Sequence, residues 1–202
     1  MQSDRVPGRS CKLSNGTAAP SRETDDTITG AKNDPMLKVI IVMGVSGSGK
    51  TTIGKLLAQR LQWNFADADD FHTAANVDKM TAGLALTDAD REPWLRSLRE
   101  HIQNWITTNQ STVLACSALK SSYRETLQID ATLVALVYLK GDFQLFEKRL
   151  SSRQGHFMKS TMLESQFKTL EEPSAADGAI IVEASDLPAV IVDNICNQLV
   201  ST

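Results

Sequence analysis

The octet Gly44-Val45-Ser46-Gly47-Ser48-Gly49-Lys50-Thr51 fits the spacing G-x-x-x-x-G-K-[ST], and each residue type in it has a part in phosphate chemistry. The glycines let the backbone fold tightly enough for successive N–H groups to point at phosphate oxygens. Lys50 can reach the outer phosphates, and the Thr51 hydroxyl can ligate Mg²⁺. Asp67 and Asp69 stand two residues apart and can divide the remaining work of phosphoryl transfer. One holds the metal through water, and the other accepts the proton of an attacking hydroxyl. A third cluster, Arg149, Arg153, Gly155, His156 and Lys159, suits a mobile lid over about 152–162, its arginines neutralising charge on the transferring group. A nucleoside triphosphate and Mg²⁺ are therefore the expected ligands, although the octet alone does not choose between kinase, ATPase, GTPase and binding module. Plainer readings stand beside these: capping and loop solvation for Asp67, Asp69 and Asp70, a structural histidine at His72, and an exposed basic turn for the arginines.

Such residues work only if the chain sets them at one edge. Leu37 to Val42 is a continuous branched apolar run, as expected of a strand buried on both faces. It leads into the octet and then into a helix over 51–61 with Ile53, Leu56, Leu57 and Leu61 on one stripe. That order puts the glycine-rich turn at a helix N-terminus, where the backbone dipole favours anions. A short strand at Asn64 and Phe65 delivers Asp67 and Asp69 to the carboxyl edge of the sheet, where ligands of open parallel sheets bind. A short helix holding Val77 and Met80 closes at Gly83. A longer one begins with the capping box Thr87-x-x-Asp90 and runs through Trp94, Leu95, Leu98, Ile102, Trp105 and Ile106. The shared face assigns both tryptophans to the core. Further strands are expected at 112–115, 133–139 and 179–182, with helices near 118–128, 142–151, 161–170 and 187–200. Five strands alternating with helices imply a parallel sheet covered on both faces, an α/β fold.

The chain has 202 residues with 21 basic and 24 acidic side chains, which leaves no positive field to favour nucleic acid or a membrane surface. No apolar run approaches the roughly 18 residues of a membrane span, and the start lacks a secretory apolar region. Three scattered cysteines, Cys11, Cys116 and Cys196, suit free thiols in a reducing compartment, so a cytoplasmic location is expected. Residues 1–35 hold eight hydrophobic residues and no aromatic one, too few to offset their ordering entropy. They are expected to form a disordered extension, leaving 36–202 as the folded domain. Arg5, Arg9, Lys12 and Arg22 against Asp4 suggest a transit peptide only faintly, since the amphipathic face is missing.

Eight blocks in order, among them M-G-V-S-G-S-G-K-T-T (43–52), D-A-D-D-F-H (67–72), L-T-D-A-D-R-E-P-W-L (86–95), C-S-A-L-K-S-S-Y-R (116–124), G-H-F-M (155–158) and S-Q-F-K-T-L-E-E-P (165–173), resemble the gluconokinase family of P-loop sugar-acid kinases. The resemblance covers about 38–185. It implies the P-loop NTPase three-layer fold with a lid, like that of adenylate and shikimate kinases. The reaction it implies is transfer of the ATP γ-phosphoryl group to the 6-hydroxyl of D-gluconate, giving 6-phosphogluconate for the pentose phosphate route. Carried over by position, Lys50, Asp69 and Arg153 would act in catalysis, and Thr51 and Asp67 on the metal. The octet with Arg149 and Arg153 would hold the nucleotide. Asp69, His72, Lys79, Arg91, Lys120, Arg124 and His156 would face the acceptor, with Arg91 and Arg124 the candidates to pair its carboxylate. Thr73, Ser121 and Gln154 stand where the family commonly has proline, a basic residue and lysine, which bears on the rigidity of the acceptor loop and on lid closure. The oligomeric state is open, a homodimer included. A related kinase of another polyhydroxy acid, and a non-catalytic nucleotide-binding protein, are the alternatives.

Overall fold

A computed structural model describes residues 37–128, 130–152 and 160–200. The expected extension over 1–35 lies outside them, as does most of the expected lid with Arg153, Gln154, His156 and Lys159.

The run Leu37 to Val42 becomes β1 (Val39–Met43), every residue of it buried. Successive side chains point to opposite faces of a strand, so β1 seeds two cores at once. Ile40 and Val42 pack with Ile53, Leu57, Leu163, Ile191 and Ile195 on one side. Val39, Ile41 and Met43 pack with Trp94, Leu98, Ile102 and Leu127 on the other. The chain continues through α1 (Lys50–Leu61), β2 (Asn64–Asp67), a 3-10 turn (Ala68–Phe71), α2 (Ala74–Thr81), α3 (Asp88–Thr107), β3 (Thr112–Ala115), α4 (Ser121–Leu127), β4 (Val134–Lys140), α5 (Phe143–Ser151), α6 (Ser160–Thr169), β5 (Ala179–Glu183) and α7 (Pro188–Val200). All strand pairs are parallel, in the order β2-β3-β1-β4-β5. The order reverses beside β1, so the crevice at its carboxyl end is the place for a ligand. The five-stranded parallel sheet with helices on both faces is the fold expected from the sequence. Among the described residues, no helix is long and apolar enough to cross a membrane.

Local chemistry sets the element ends. Thr87 and Asp90 form the expected reciprocal box: Asp90 N–H donates to Thr87 Oγ1 at 3.2 Å, and Thr87 N–H donates to Asp90 Oδ2 at 2.9 Å. Asp142 caps α5 by accepting from Leu145 N–H, and Pro188, whose missing N–H costs nothing at a first helical position, opens α7. Thr73 also caps a helix: its hydroxyl accepts from Asn76 N–H at 3.2 Å, which anchors the start of α2.

One expected stripe and two further local readings are refined. In α1, Leu56 is 38% exposed, and the buried face is Ile53, Gly54, Leu57 and Ala58. A Cβ on Gly54 would come within 2.8 Å of the Phe65 ring, so a side chain there would hold the helix off β2. In α2, Val77 is 45% exposed while Asn76 is buried, its Nδ2 donating to the Asp90 carbonyl at 2.8 Å. The helix is thus oriented by a polar contact that apolar periodicity does not register. The helix expected over 118–128 starts at Ser121. Ala118 has φ 44°, and the Arg124 Nη1 donates to the carbonyls of Ala118 and Leu119 at 3.2 and 3.1 Å, which holds that stretch out of the helix. Pro93 lies inside α3, a position that usually breaks a helix. Here the packing of Trp94, Leu95, Leu98 and Ile102 carries the helix through it.

Candidate active site

The glycine-rich turn leaves the end of β1 and enters α1. Gly44 has φ 147°, and a Cβ there would meet Ser48 Oγ at 2.8 Å and the Leu139 carbonyl at 3.2 Å. Gly49, at φ 102°, is the N-cap of α1, so the amino end of the first helical turn opens onto the loop. Lys50 arches back over it, its Nζ donating to the Val45 carbonyl at 3.0 Å.

Strand β2 brings Asp67 to the same edge. The Thr51 hydroxyl donates to Asp67 Oδ2 at 2.9 Å, and Asp67 Oδ1 accepts from the Asp69 N–H at 3.2 Å. Thr51 and Asp67 therefore present two adjacent oxygen donors beside the phosphate loop. That donor set fits Mg²⁺, which takes few protein oxygens and completes its shell with water and phosphate. No group of three or more His, Cys, Asp or Glu able to hold a metal occurs among the described residues.

Asp69 sits on the 3-10 turn with its side chain 85% exposed to the cleft. The surrounding protein still strips part of its carboxylate hydration, and this, followed by the negative charge of Asp67, raises its pKa above 3.8; Lys50 and His72 oppose the rise. A raised carboxylate is a better proton acceptor than an ordinary one. His72 is stacked on Trp94, the rings 4.5 Å apart and 13° from parallel. Its side chain is 6% exposed, with Nε2 3.9 Å from Asp69 Oδ1. Burial lowers the His72 pKa, more than Asp69 raises it, which favours the neutral imidazole.

Trp94 is at once core and site. Its ring supports His72, and its Nε1–H donates to the Ala68 carbonyl at 2.7 Å, tying α3 to the turn that carries Asp69. Trp94→Phe keeps an aromatic surface but leaves that buried carbonyl without its donor, so we expect a loss of about 1–3 kcal/mol. The measurement is the denaturant midpoint against wild type, and an unchanged midpoint would remove the tether from this account.

The structure brings Lys50, Asp69, His72 and Arg91 into one pocket with Trp94 and Gln166. Arg91 Nη1 donates to the Leu86 carbonyl at 2.6 Å, which fixes the guanidinium at the pocket wall. A second pocket, on the other side of the loop, is lined by Gly47, Gly49, Thr52, Arg149, Ala184 and Asp186 among others. There Arg149 donates from Nη1 to the Ser48 carbonyl at 3.3 Å and from Nη2 to the Ala184 carbonyl at 2.6 Å.

Three residues expected at the acceptor, Lys79, Lys120 and Arg124, are not among those lining this pocket, and each has a partner within the protein. Lys79 Nζ donates to Asp90 Oδ1 at 2.5 Å, and Lys120 Nζ donates to Asp88 Oδ2 at 2.6 Å, with the Tyr123 hydroxyl on the other oxygen. Arg124 is buried against the carbonyls it holds. The first turn of α3 thus pairs with both lysines; Lys50 and Arg91 are the described lysine and arginine that line the pocket, Arg91 with its Nη1 3.9 Å from Asp88 Oδ1. Its hydrogen bonds, Lys79 first, hold the Asp90 carboxyl down at about 2 from 3.8. A carboxyl with a depressed folded pKa stabilises the fold above its unfolded value and loses that contribution as pH falls towards the folded one. Wild-type stability should therefore fall between about pH 4 and pH 2 with a component that Asp90→Asn lacks. Parallel acid-unfolding profiles would contradict it.

Sequence reasoning missed Gln166 and Ser117 in the pocket. The Ser46 N–H donates to Gln166 Oε1 at 2.6 Å, joining α6 to the phosphate loop. Nearby, Glu171 accepts from Ser121 N–H at 2.7 Å through Oε2, and its own N–H donates to the Leu119 carbonyl. Ser121 thus opens α4 through its backbone. The family block around Gln166 signalled importance, but an uncharged amide offered no chemistry to assign from sequence.

A parallel sheet with a phosphate loop, an oxygen pair beside it and an adjoining pocket with a carboxylate defines a P-loop small-molecule kinase. The family model for shikimate kinase matches residues 46–200. The chain is 43% identical to the probable gluconokinase of Xenopus tropicalis, covering 78% of this chain and 90% of that one. It is 41% identical to the thermoresistant gluconokinase of Escherichia coli K12, covering 74% and 86%. A crystal structure of a gluconokinase from Sinorhizobium meliloti 1021 superposes with a TM-score of 0.74 at 36% identity, over 81% of this chain and 92% of that chain. The shikimate kinase of Aquifex aeolicus shares the fold, at a TM-score of 0.52 and 18% identity. The chain belongs to the gluconokinase family and is an enzyme of that type.

Proposed function

We propose that this protein transfers the γ-phosphoryl group of ATP to the 6-hydroxyl of D-gluconate, forming 6-phosphogluconate and ADP. The observation that carries the reading is the convergence of Lys50, Asp69 and Arg91 on one pocket beside the phosphate loop. In this reading the Arg91 guanidinium pairs the gluconate carboxylate, and the opposite end of the acid lies at Asp69. Asp69 accepts the 6-hydroxyl proton as that oxygen bonds to the γ-phosphorus and the bond to the ADP oxygen breaks. Lys50 and the loop N–H groups hold the phosphates while charge redistributes among their oxygens. When bound, Mg²⁺ held by Thr51 and Asp67 supplies charge neutralisation on the phosphates. Arg149 borders the nucleotide, where its tethers to the loop and to Ala184 fix its plane.

The test is ADP formation in a coupled assay with ATP, Mg²⁺ and a panel of sugar acids that includes shikimate. Gluconate should be the preferred acceptor, and folded protein without gluconate-stimulated turnover would refute the reading. A cytoplasmic location accompanies the reading, in keeping with Cys116 and Cys196 as free thiols. The kinase is proposed to reside in 36–202. Deleting 1–35 should leave kcat and KM within about twofold of the full chain, since segments unable to build a core seldom position a site; a collapse of either would assign the extension a part in the site.

A further inference from the structure

The carboxamide of Gln166 has a fixed orientation. An amide side chain can usually be turned end for end, but its partner here is a backbone N–H, which can only donate. Oε1 must therefore face Ser46, as it does at 2.6 Å, and the two hydrogens of Nε2 are directed away from the loop backbone. Gln166 lines the same pocket as Lys50, Asp69 and Arg91. Ser46 lies four residues before Lys50, so the amide is anchored at the phosphate end of that pocket, where the reacting hydroxyl must sit. A neutral donor there suits another hydroxyl oxygen, whereas a cation would compete for phosphate.

We propose that Gln166 is a specificity-determining residue that donates from Nε2 to the hydroxyl oxygen on the carbon next to the phosphorylated one, the 5-hydroxyl of gluconate. The inference rests on the gluconate reading above. Anchoring through Oε1 means that the donor is aimed before the acceptor arrives, and the rotamer entropy of the glutamine is already spent. A site that hydrogen-bonds a hydroxyl rejects the analogue lacking it, because its own polar group is left unpaired.

The experiment compares gluconate with 5-deoxygluconate on wild type, Gln166→Ala and Gln166→Leu, measuring kcat and KM for each acid and KM for ATP. Wild type should lose about 10-fold in kcat/KM on the deoxy acid, the scale of one neutral hydrogen bond. Both variants should lose about as much on gluconate, and they should discriminate between the two acids less than twofold. KM for ATP should stay near wild type. If both variants retain wild-type discrimination, or if the loss falls equally on ATP and both acids, Gln166 only braces α6 and the proposal is overturned. Failure of wild type to turn over gluconate would instead defeat the functional reading, and this inference with it.

Discussion

Asp69→Asn should lower gluconate-dependent kcat by at least about 100-fold, the lower end of what a positioned general base contributes. The amide keeps the shape of the carboxylate but cannot take the 6-hydroxyl proton, so KM for gluconate should move far less than kcat. The same substitution should make the protein more stable at neutral pH. The Asp69 pKa is raised in the fold, chiefly by lost hydration and then by Asp67, so its ionised form is disfavoured by folding. The sign follows from linkage: stability is higher below the ordinary carboxyl range and declines as pH rises through the raised folded value. Asparagine removes that cost. The acid limb of wild-type kcat/KM should correspondingly lie above the ordinary carboxylate range and disappear in the residual activity of the variant. Near-normal turnover, or a melting temperature below wild type with turnover lost, would separate Asp69 from the role given to it.

Lys50→Ala should cost about 100- to 1,000-fold in kcat, the scale seen when one preorganised charge or donor is removed from a transition state. Lys50 folds back on the Val45 carbonyl and lines the pocket that also holds Asp69. Its removal takes away both a brace of the loop and a cation at the transferring group. Nucleotide affinity should weaken as well, measured by titration of ATP in the absence of gluconate. Lys50→Arg should recover binding better than turnover, because a planar fork does not reproduce a compact ammonium in a loop this tight. Unaltered kinetics in the alanine variant would take Lys50 out of the site.

The reach of the sequence can be judged residue by residue. The phosphate loop was legible because its chemistry is written in glycines and one lysine within eight positions, and the parallel sheet because β1 is apolar without alternation. Asp67 and Asp69 were legible as a pair, yet the bond from Thr51 to Asp67 joins residues 16 apart and has no local signature. The acceptor side was harder for a definite reason. Lys79, Lys120 and Arg124 are the right residue types for an anionic ligand, but Asp90, Asp88 and two backbone carbonyls claim them first. Competition between an internal partner and a ligand is decided by tertiary geometry. The exposed Val77 and buried Asn76 show the same limit in α2, where one side-chain amide outweighs the apolar pattern.

Helix α3 carries Arg91 at its first turn, then Trp94, Leu95, Leu98 and Ile102, offsets of 0, 3, 4, 7 and 11 from Arg91 that fall along one side of a 3.6-residue helix. The pocket cation is thus the amino-terminal continuation of the stripe that fills the core. A helix turns about 100° per residue, so one inserted residue between Arg91 and Trp94 would leave the hydrophobic stripe seated while swinging the guanidinium off the pocket wall. The axial register of a single helix sets both where the fold closes and which way its pocket-facing charge points.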